Sequence, residues 1–209
     1  LVPALSITIL ALPTTTALIR RLPMIEMLDV QFDDVASIAA IHCASWRSTY
    51  RGVLRDDFLD GDLLANRLAL WHQRLASAAD SFFGVIAWQD GQPVGFSFGY
   101  PLADPVFGHL VDNLHVLPQM KGQGLGRRLL QAMAARCQAR GDGAGMFLWV
   151  YENNTAAIRF YQSLGARPCE RQVAEVPGGG MAAEWRYAWD SPALLLAHLA
   201  GGGAVSAQV

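Results

Sequence analysis

Between Ile25 and Trp189 hydrophobic spacing switches repeatedly between a period near four and a period of two, and each switch marks an element. Ile25 to Gln31 predicts a short strand. It stops at Asp33-Asp34, a cap and a first-turn acid for a helix running to about Tyr50. That helix would turn Val35, Ile38, Ile41/His42, Ser45/Trp46 and Thr49 inward. A second helix, roughly Asp62 to Ala78, follows from Leu63, Arg67/Leu68, Trp71 and Leu75 at i, i+4 spacing. Between the two helices lie the turn Arg51-Gly52 and an acidic segment.

Downstream the period shortens to two. Phe82 to Trp88 and Pro93 to Tyr100 flank Asp90-Gly91, a strong hairpin signal, and His109 to Val116 alternates as a third strand before Pro118. Leu125 to Arg140 reads as an amphipathic helix closed by Gly141-Asp142-Gly143. Met146 to Tyr151 is a strand, Asn154 to Leu164 a helix ended by Gly165, and Arg167 to Val176 with Met181 to Trp189 a closing antiparallel pair across Pro177-Gly178-Gly179-Gly180. The order predicts a mixed α/β (α+β) domain, with a mostly antiparallel sheet of about seven strands flanked by about four helices.

Length and composition fit one packed domain, because 209 residues at 52% hydrophobic and 16% charged can bury a sizeable core. The expected domain spans residues 24–190. Residues 1–23, with three prolines and Thr14-Thr15-Thr16, read as an upstream or flexible leader, and residues 191–209 as a tail of short helix and frayed end. The tail's Leu194-Leu195-Leu196 has two destinations, its own domain or a second copy in a homodimer. A net charge of −2 argues against a nucleic-acid partner. The three cysteines, Cys43, Cys137 and Cys169, are too widely separated for a CxxC metal site or a disulfide framework, so no metal and a cytoplasmic location are expected. Ala4 to Leu12 falls far short of the about 20 residues that cross a bilayer, so no membrane partner is expected.

The chemistry concentrates at Lys121-Gly122-Gln123-Gly124-Leu125-Gly126-Arg127, where a strand ends and a helix begins. Unpartnered amides of a first helical turn converge there and bind anions, glycines let a phosphate approach the backbone, and Lys121 with Arg127 or Arg128 adds charge. A dinucleotide fingerprint starting at Gly122 would need glycine at Arg127, and one starting at Gly124 would need it at Leu129. A P-loop would need Gly-Lys-Ser/Thr, which is missing. Glycines that merely tighten a connection remain the bland alternative.

The spacing resembles the R/Q-x-x-G-x-G/A motif of the GNAT superfamily of N-acetyltransferases, with Lys121 in place of the usual Arg or Gln. The resemblance continues through Asn154-Thr155-Ala156-Ala157-Ile158-Arg159-Phe160-Tyr161-Gln162-Ser163-Leu164-Gly165, which is similar to the superfamily's Asn-x-x-Ala-x-x-Phe-Tyr-x-x-x-Gly helix. Upstream, Ala44-Ser45-Trp46-Arg47 and Tyr50-Arg51-Gly52-Val53-Leu54 resemble the first helix and loop of many bacterial members.

The resemblance implies a V-shaped splay between the fourth and fifth strands, entered by the pantetheine arm of acetyl-CoA. Backbone groups of Leu114 and Val116 would pair with that arm, Asn154 would hold it, and the pyrophosphate would rest on Lys121, Gly122, Gln123, Gly124, Leu125, Gly126 and Arg127. Tyr161 falls on the tyrosine position beside the sulfur and would protonate the leaving thiolate. For the base, Asp112 is expected on the face of Leu110 and Leu114, with Asn113 and His115 opposite, so only one of Asp112 and His115 can face a given side. Asp112 is favoured and His115 kept as the alternative. Many members carry a Glu where this chain has Leu110, so that role does not carry over.

Trp46 and Tyr50, four residues apart, would line the acceptor side, or else serve as core aromatics. Asp56, Asp57, Asp60 and Asp62 would attract a cationic amine, or else act as solvated capping charges. Cys137, inside a helix, is a poor acyl carrier. The expected function is transfer of acetyl from acetyl-CoA to an unidentified primary amine by direct attack in a ternary complex. The competing class is a non-catalytic acyl-CoA sensor of the same fold.

Overall fold

The computed structural model describes residues 24–78 and 81–201, so the leader expected over residues 1–23 lies outside the described residues, as do residues 202–209. The chain opens with β1 (Ile25–Asp29), a short 3-10 turn, and α1 (Val35–Thr49). There follow α2 (Asp56–Asp60), α3 (Leu63–Leu75), β2 (Phe83–Gln89), β3 (Gln92–Asp104) and β4 (Gly108–Val116). The second half runs α4 (Leu125–Ala139), β5 (Met146–Tyr151), α5 (Thr155–Ser163), β6 (Arg167–Glu175), β7 (Met181–Trp189) and α6 (Pro192–Gly201).

Seven strands form one sheet in the order β1-β2-β3-β4-β5-β7-β6. The β2–β3 hairpin turns on Asp90 and Gly91 at φ of 51° and 75°, the pair of left-handed residues that matches the twist of two antiparallel strands. Among the described residues only the strands β4 and β5 pair in parallel, and their pairing is confined to His109↔Met146 and Leu110↔Phe147. Past those residues the two strands part. The mixed, mostly antiparallel sheet and the splay between strands four and five are as the sequence and its resemblance predict.

The core lies on both faces of the sheet. On one, α4 buries Leu125, Leu129, Leu130 and Met133 against Leu148, Val150 and Tyr187. On the other, Ile38 and Ile41 of α1 and Trp71 of α3 pack on Ile86, Phe96 and Phe98. A third cluster, Trp46, Leu54, Leu59, Leu63 and Val176, lies under α2. The last helix, α6, sets Leu195 and Leu199 into the core beneath α4, so the boundary drawn at residue 190 cuts between β7 and a helix of the same packed unit. Among the described residues no helix is long and apolar enough to cross a membrane.

Two local features differ from the expectations. The acidic segment folds as α2, whose carboxylates are taken up locally: Arg51 pairs with Asp56 and Asp60, and Arg55 with Asp57. Asp62 accepts from the Ala65 amide at 3.4 Å as the cap of α3. Ion pairing by Asp56, Asp57 and Asp60 and capping by Asp62, and not an unmatched acidic patch, are what these side chains display.

The second difference is a bulge in β4. Phe98 pairs with Asn113 but Gly99 with Val111, which leaves Asp112 as the extra residue. Val111 therefore packs on the α4 side together with Leu114 and Val116, while His115 stacks on His42 of α1. Asp112 reaches Arg74 of α3 at 2.7 Å. The expectation that Asp112 shares the face of Leu114 is thus corrected: the bulge turns Asp112 and His115 to the same side of the sheet.

Candidate functional site

The glycine turn is built by conformation. A 3-10 turn at Pro118–Met120 leads to Lys121, and α4 starts after Gly124, whose φ of 77° is left-handed. A Cβ at Gly122 or Gly124 would meet nothing within 4 Å, so the positive φ at each, and no packing constraint, is what calls for glycine. Among the described residues no backbone carbonyl accepts from the amides of Gly122 to Arg127; the first helical bond is Arg128 N to Gly124 O at 3.1 Å. Unpaired amides at the positive end of a 15-residue helix make an anion site.

Three cations flank the turn, and none pairs with a carboxylate among the described residues. Lys121 Nζ donates to Ser48 Oγ at 3.2 Å and Thr49 Oγ1 at 2.9 Å. Arg128 donates to the Ile25 carbonyl at 3.1 Å. Arg127 Nη2 donates to the Leu199 carbonyl at 2.7 Å and the His198 carbonyl at 3.2 Å, so this side chain caps α6 as well as bordering the cleft. Gln123 folds back onto the Gln119 carbonyl at 2.7 Å and is not on the cleft wall.

From the turn a cleft of about 510 Å³ runs into the splay. Leu114, His115 and Val116 of β4 form one side and Val150 of β5 the other, with Tyr50, Asn154, Phe160 and Tyr161 closing it. Tyr161 is buried, and burial raises its phenol above the ordinary value, which keeps it protonated. Asn154 caps α5 by accepting from the Ala157 amide at 3.2 Å. Tyr50 lies against Tyr151 at 5.3 Å; burial raises its hydroxyl's pKa, and a hydrogen bond with Asn154 opposes that rise.

The inner wall carries a second polar group. Ser45 Oγ lies 3.0 Å from His115 Nδ1, and His115 stacks on His42 with centroids 4.5 Å apart. Trp71 donates to His42 Nδ1 at 3.0 Å, while His42 Nε2 is buried with no partner among the described residues. Burial first, and then the charges of Lys121 and Arg67, push His115 down to about 3. Burial, with His115 next, also holds His42 well below its ordinary value.

The cleft thus brings together Tyr161, His115, Asn154, Tyr50, Leu114, Val116 and most of the glycine turn. It does not include Asp112, which is held by Arg74, or Trp46, which is buried beneath the Arg67 guanidinium at 4.4 Å. Ser45, Thr49, Met120 and Phe160 also line it and were not singled out from the sequence. Ser45 and Thr49 carried a signal, as polar residues four apart on a helix face otherwise read as inner.

Residues 26–166 match the acetyltransferase (GNAT) family. The chain is 28% identical over 159 residues to "Uncharacterized N-acetyltransferase YuaI" of Bacillus subtilis, covering 74% of this chain and 87% of that protein. It is 30% identical over 133 residues to "Probable N-acetyltransferase Rv2775" of Mycobacterium tuberculosis, covering 62% and 72% respectively. Among solved structures, the PaiA N-acetyltransferase of Thermoplasma acidophilum in complex with coenzyme A aligns with a TM-score of 0.59 at 16% identity, over 77% of this chain and 98% of that one. The yncA structure from Salmonella typhimurium with its cofactor acetyl-CoA aligns with a TM-score of 0.58 at 20% identity, over 79% and 93%. Sequence match, sheet order and splay agree, and this chain belongs to the acetyltransferase (GNAT) family.

Proposed function

We propose that the protein transfers an acetyl group from acetyl-CoA to a primary amine of a small molecule or peptide, by direct attack in a ternary complex. The observation that carries this reading is the continuity of one cleft from the unpaired amides of Gly122–Arg127 to the buried phenol of Tyr161, through the gap between β4 and β5. Coenzyme A in the PaiA structure and acetyl-CoA in the yncA structure support the choice of donor.

The pyrophosphate would take the amides of the glycine turn, with Lys121 exchanging the neutral hydroxyls of Ser48 and Thr49 for an anion. Among the described residues Leu114 and Val116 have no strand partner on the β5 side, so their backbone would pair with the pantetheine arm. The neutral amine attacks the thioester carbon, the C–N bond forms, and collapse of the tetrahedral intermediate breaks the C–S bond. Tyr161 gives its proton to the departing sulfur, a role that its burial suits because the phenol stays protonated.

Proton removal from the attacking nitrogen falls to Ser45 and His115. Ser45 can donate to His115 Nδ1 while its oxygen accepts from the amine. An imidazole held near 3 does not deprotonate a free alkylammonium of pKa about 10, so the amine enters neutral and the pair takes up the proton only as the C–N bond makes that nitrogen acidic. Asp112, bound to Arg74 outside the cleft, is left without this role.

Incubation with acetyl-CoA and a panel of polyamines, aminoglycosides, amino acids and peptides, read by free thiol release, tests the reading. Release above the acceptor-free blank is expected for at least one class; its absence across the panel, with CoA still bound, would favour the non-catalytic sensor. Tyr161→Phe should lower kcat by about 10- to 100-fold while CoA affinity changes by less than about twofold. An unchanged kcat removes Tyr161 from the proton path.

A further inference from the structure

The last helix, α6, lies beyond residue 166, where the match to the family ends, yet it is built into the molecule beside the glycine turn. Leu195 and Leu199 are buried in the cluster that also holds Leu125 and Leu129 of α4. The last turn of α6 abuts the end of α5, where Gly165 stands at φ 79° and a Cβ would meet the His198 ring at 2.6 Å. A side chain at that crossing would be strained and would displace the histidine, so glycine lets the end of α6 sit against α5 as well as α4. Leu125 and Gly126 of α4 and Phe160 of α5 line the cleft, and α6 backs both helices.

Arg127 joins α6 to the cleft. It stands in the first turn of α4, which holds no acidic residue. A cation there faces the positive end of its own helix, an unfavourable place unless negative charge comes from elsewhere. Among the described residues no carboxylate supplies it. The end of α6 does: Arg127 Nη2 donates to the Leu199 carbonyl at 2.7 Å and the His198 carbonyl at 3.2 Å, acceptors at the negative end of that helix. Only Nη2 is used in this way. Nε and Nη1 make no hydrogen bond among the described residues, and the residue borders the cleft. Arg128 offers the contrast, because it is exposed, donates to the Ile25 carbonyl at 3.1 Å and does not line the cleft.

We infer that α6 is part of the donor site: its last carbonyls hold Arg127 in place, and the guanidinium meets a phosphate of CoA through Nε and Nη1. The inference rests on the reading of this cleft as the CoA site and does not need the transfer step. A phosphate suits the remaining donors because charge-assisted bonds from a guanidinium to phosphate oxygens are short and directional. An arginine already held at one atom gives up less side-chain freedom on binding than one free in solvent, so the helix contributes to affinity by preorganisation. Linkage makes the coupling reciprocal: whatever α6 adds to CoA binding, bound CoA adds to the docking of α6.

The test titrates CoA calorimetrically into the full chain, Arg127→Met, Ala200→Pro and the double variant, with melting temperatures measured beside each. Ala200 is exposed on α6, and a proline there drives the preceding Leu199 out of helical conformation and turns its carbonyl away, while Leu195 stays seated in the core. Arg127→Met should weaken CoA by about tenfold or more and Ala200→Pro by about threefold or more. The double variant should match Arg127→Met to within about twofold, because the helix acts through that side chain. Hydrogen exchange supplies a second measurement: saturating CoA should slow the amides of residues 192–201 by about fivefold or more in the wild type and leave them unchanged in Arg127→Met. That comparison decides the matter even where Ala200→Pro does not fold. A lower melting temperature in Arg127→Met with unchanged CoA affinity makes the residue a helix cap alone and overturns the inference, as do losses that add in the double variant. The two readings fail differently: a wild-type chain that takes up no CoA removes the donor reading of the cleft, whereas CoA binding that ignores both variants leaves that reading standing and removes α6 from the site.

Discussion

At His115 one imidazole faces Ser45 on one edge and His42 across its plane, largely buried in the wall of the cleft. Its value of about 3 lies below the ordinary one, so between about 3 and about 6.5 the unfolded chain binds a proton that the native protein refuses. Stability from this group is full above that window and lost as pH falls through it. His42, also held low by burial, acts in the same direction. In His115→Phe the wild-type fall in unfolding free energy between pH 6.5 and pH 3 should therefore become shallower by about 1.4 kcal/mol for each pH unit the histidine no longer contributes. Denaturant titrations at several pH values check this; parallel curves would show that His115 is not the buried neutral group. At neutral pH the variant should instead be less stable by about 1–3 kcal/mol, because Ser45 loses its buried partner. Tyr161 and Asn154 could be found from the sequence because their positions follow from a helix motif in which every residue is counted from its neighbours. Asp112 could not be placed that way, since its face depends on how its neighbours Val111 and Asn113 pair with Gly99 and Phe98 of β3 on either side of the bulge.

The elements themselves followed the sequence where local chemistry decides them. Asp90-Gly91 fixes the β2–β3 hairpin, and the apolar stripe of α4 gives its length to within a residue of the Leu125 to Arg140 expectation. Local chemistry is weaker at α2, where five residues with three acids carry little periodicity and the helix is held by Leu59 in the core and by Arg51 and Arg55 outside. It is weaker still at α6, whose residues are apolar all round, so that spacing alone does not say which side is buried. The start of α4 is the element end with most consequence for the donor. Gly124 at φ 77° both opens the helix and leaves the following amides free. Gly124→Ala should cost about 1–2 kcal/mol in stability, the penalty of a left-handed alanine, since its Cβ would meet no neighbour. The same strain should reorient the first-turn amides and weaken CoA by about 10-fold or more. Calorimetry beside thermal unfolding separates the two effects; loss of stability with unchanged CoA affinity would mean that the amides are not the pyrophosphate seat.

At the scale of the molecule, and among the described residues, the sheet opens at one place, between β4 and β5, and the groups assigned to donor and acceptor approach that opening from different sides. The glycine turn and α5 belong to the α4 side, whereas Ser45 and His115 belong to the side covered by α1 and α3. On the proposed reading such an arrangement would let both substrates reach the gap at once, with no need for the protein to carry the acetyl group. The cysteines agree with this. Burial pushes Cys137 up to about 12 and raises Cys43 as well, so neither supplies a thiolate near neutral pH, and both are buried in the packed clusters. Cys169 is exposed, but it lies on β6, the outer edge strand, with β7 between it and β5. Initial rates measured against acetyl-CoA at several fixed acceptor concentrations should accordingly give intersecting reciprocal plots, the signature of a ternary complex, whereas an acetyl-enzyme would give parallel ones. Intact-mass measurement after incubation with acetyl-CoA alone should find no acetylated protein, and the simultaneous variant Cys43→Ser, Cys137→Ala, Cys169→Ser should keep a measurable kcat. Cys137→Ala leaves a cavity in the core and is expected to lower stability by about 1–2 kcal/mol, so the assay is run well below the melting temperature. Parallel plots together with an acetyl adduct that the triple variant abolishes would place a covalent intermediate on a cysteine and remove direct attack from the mechanism.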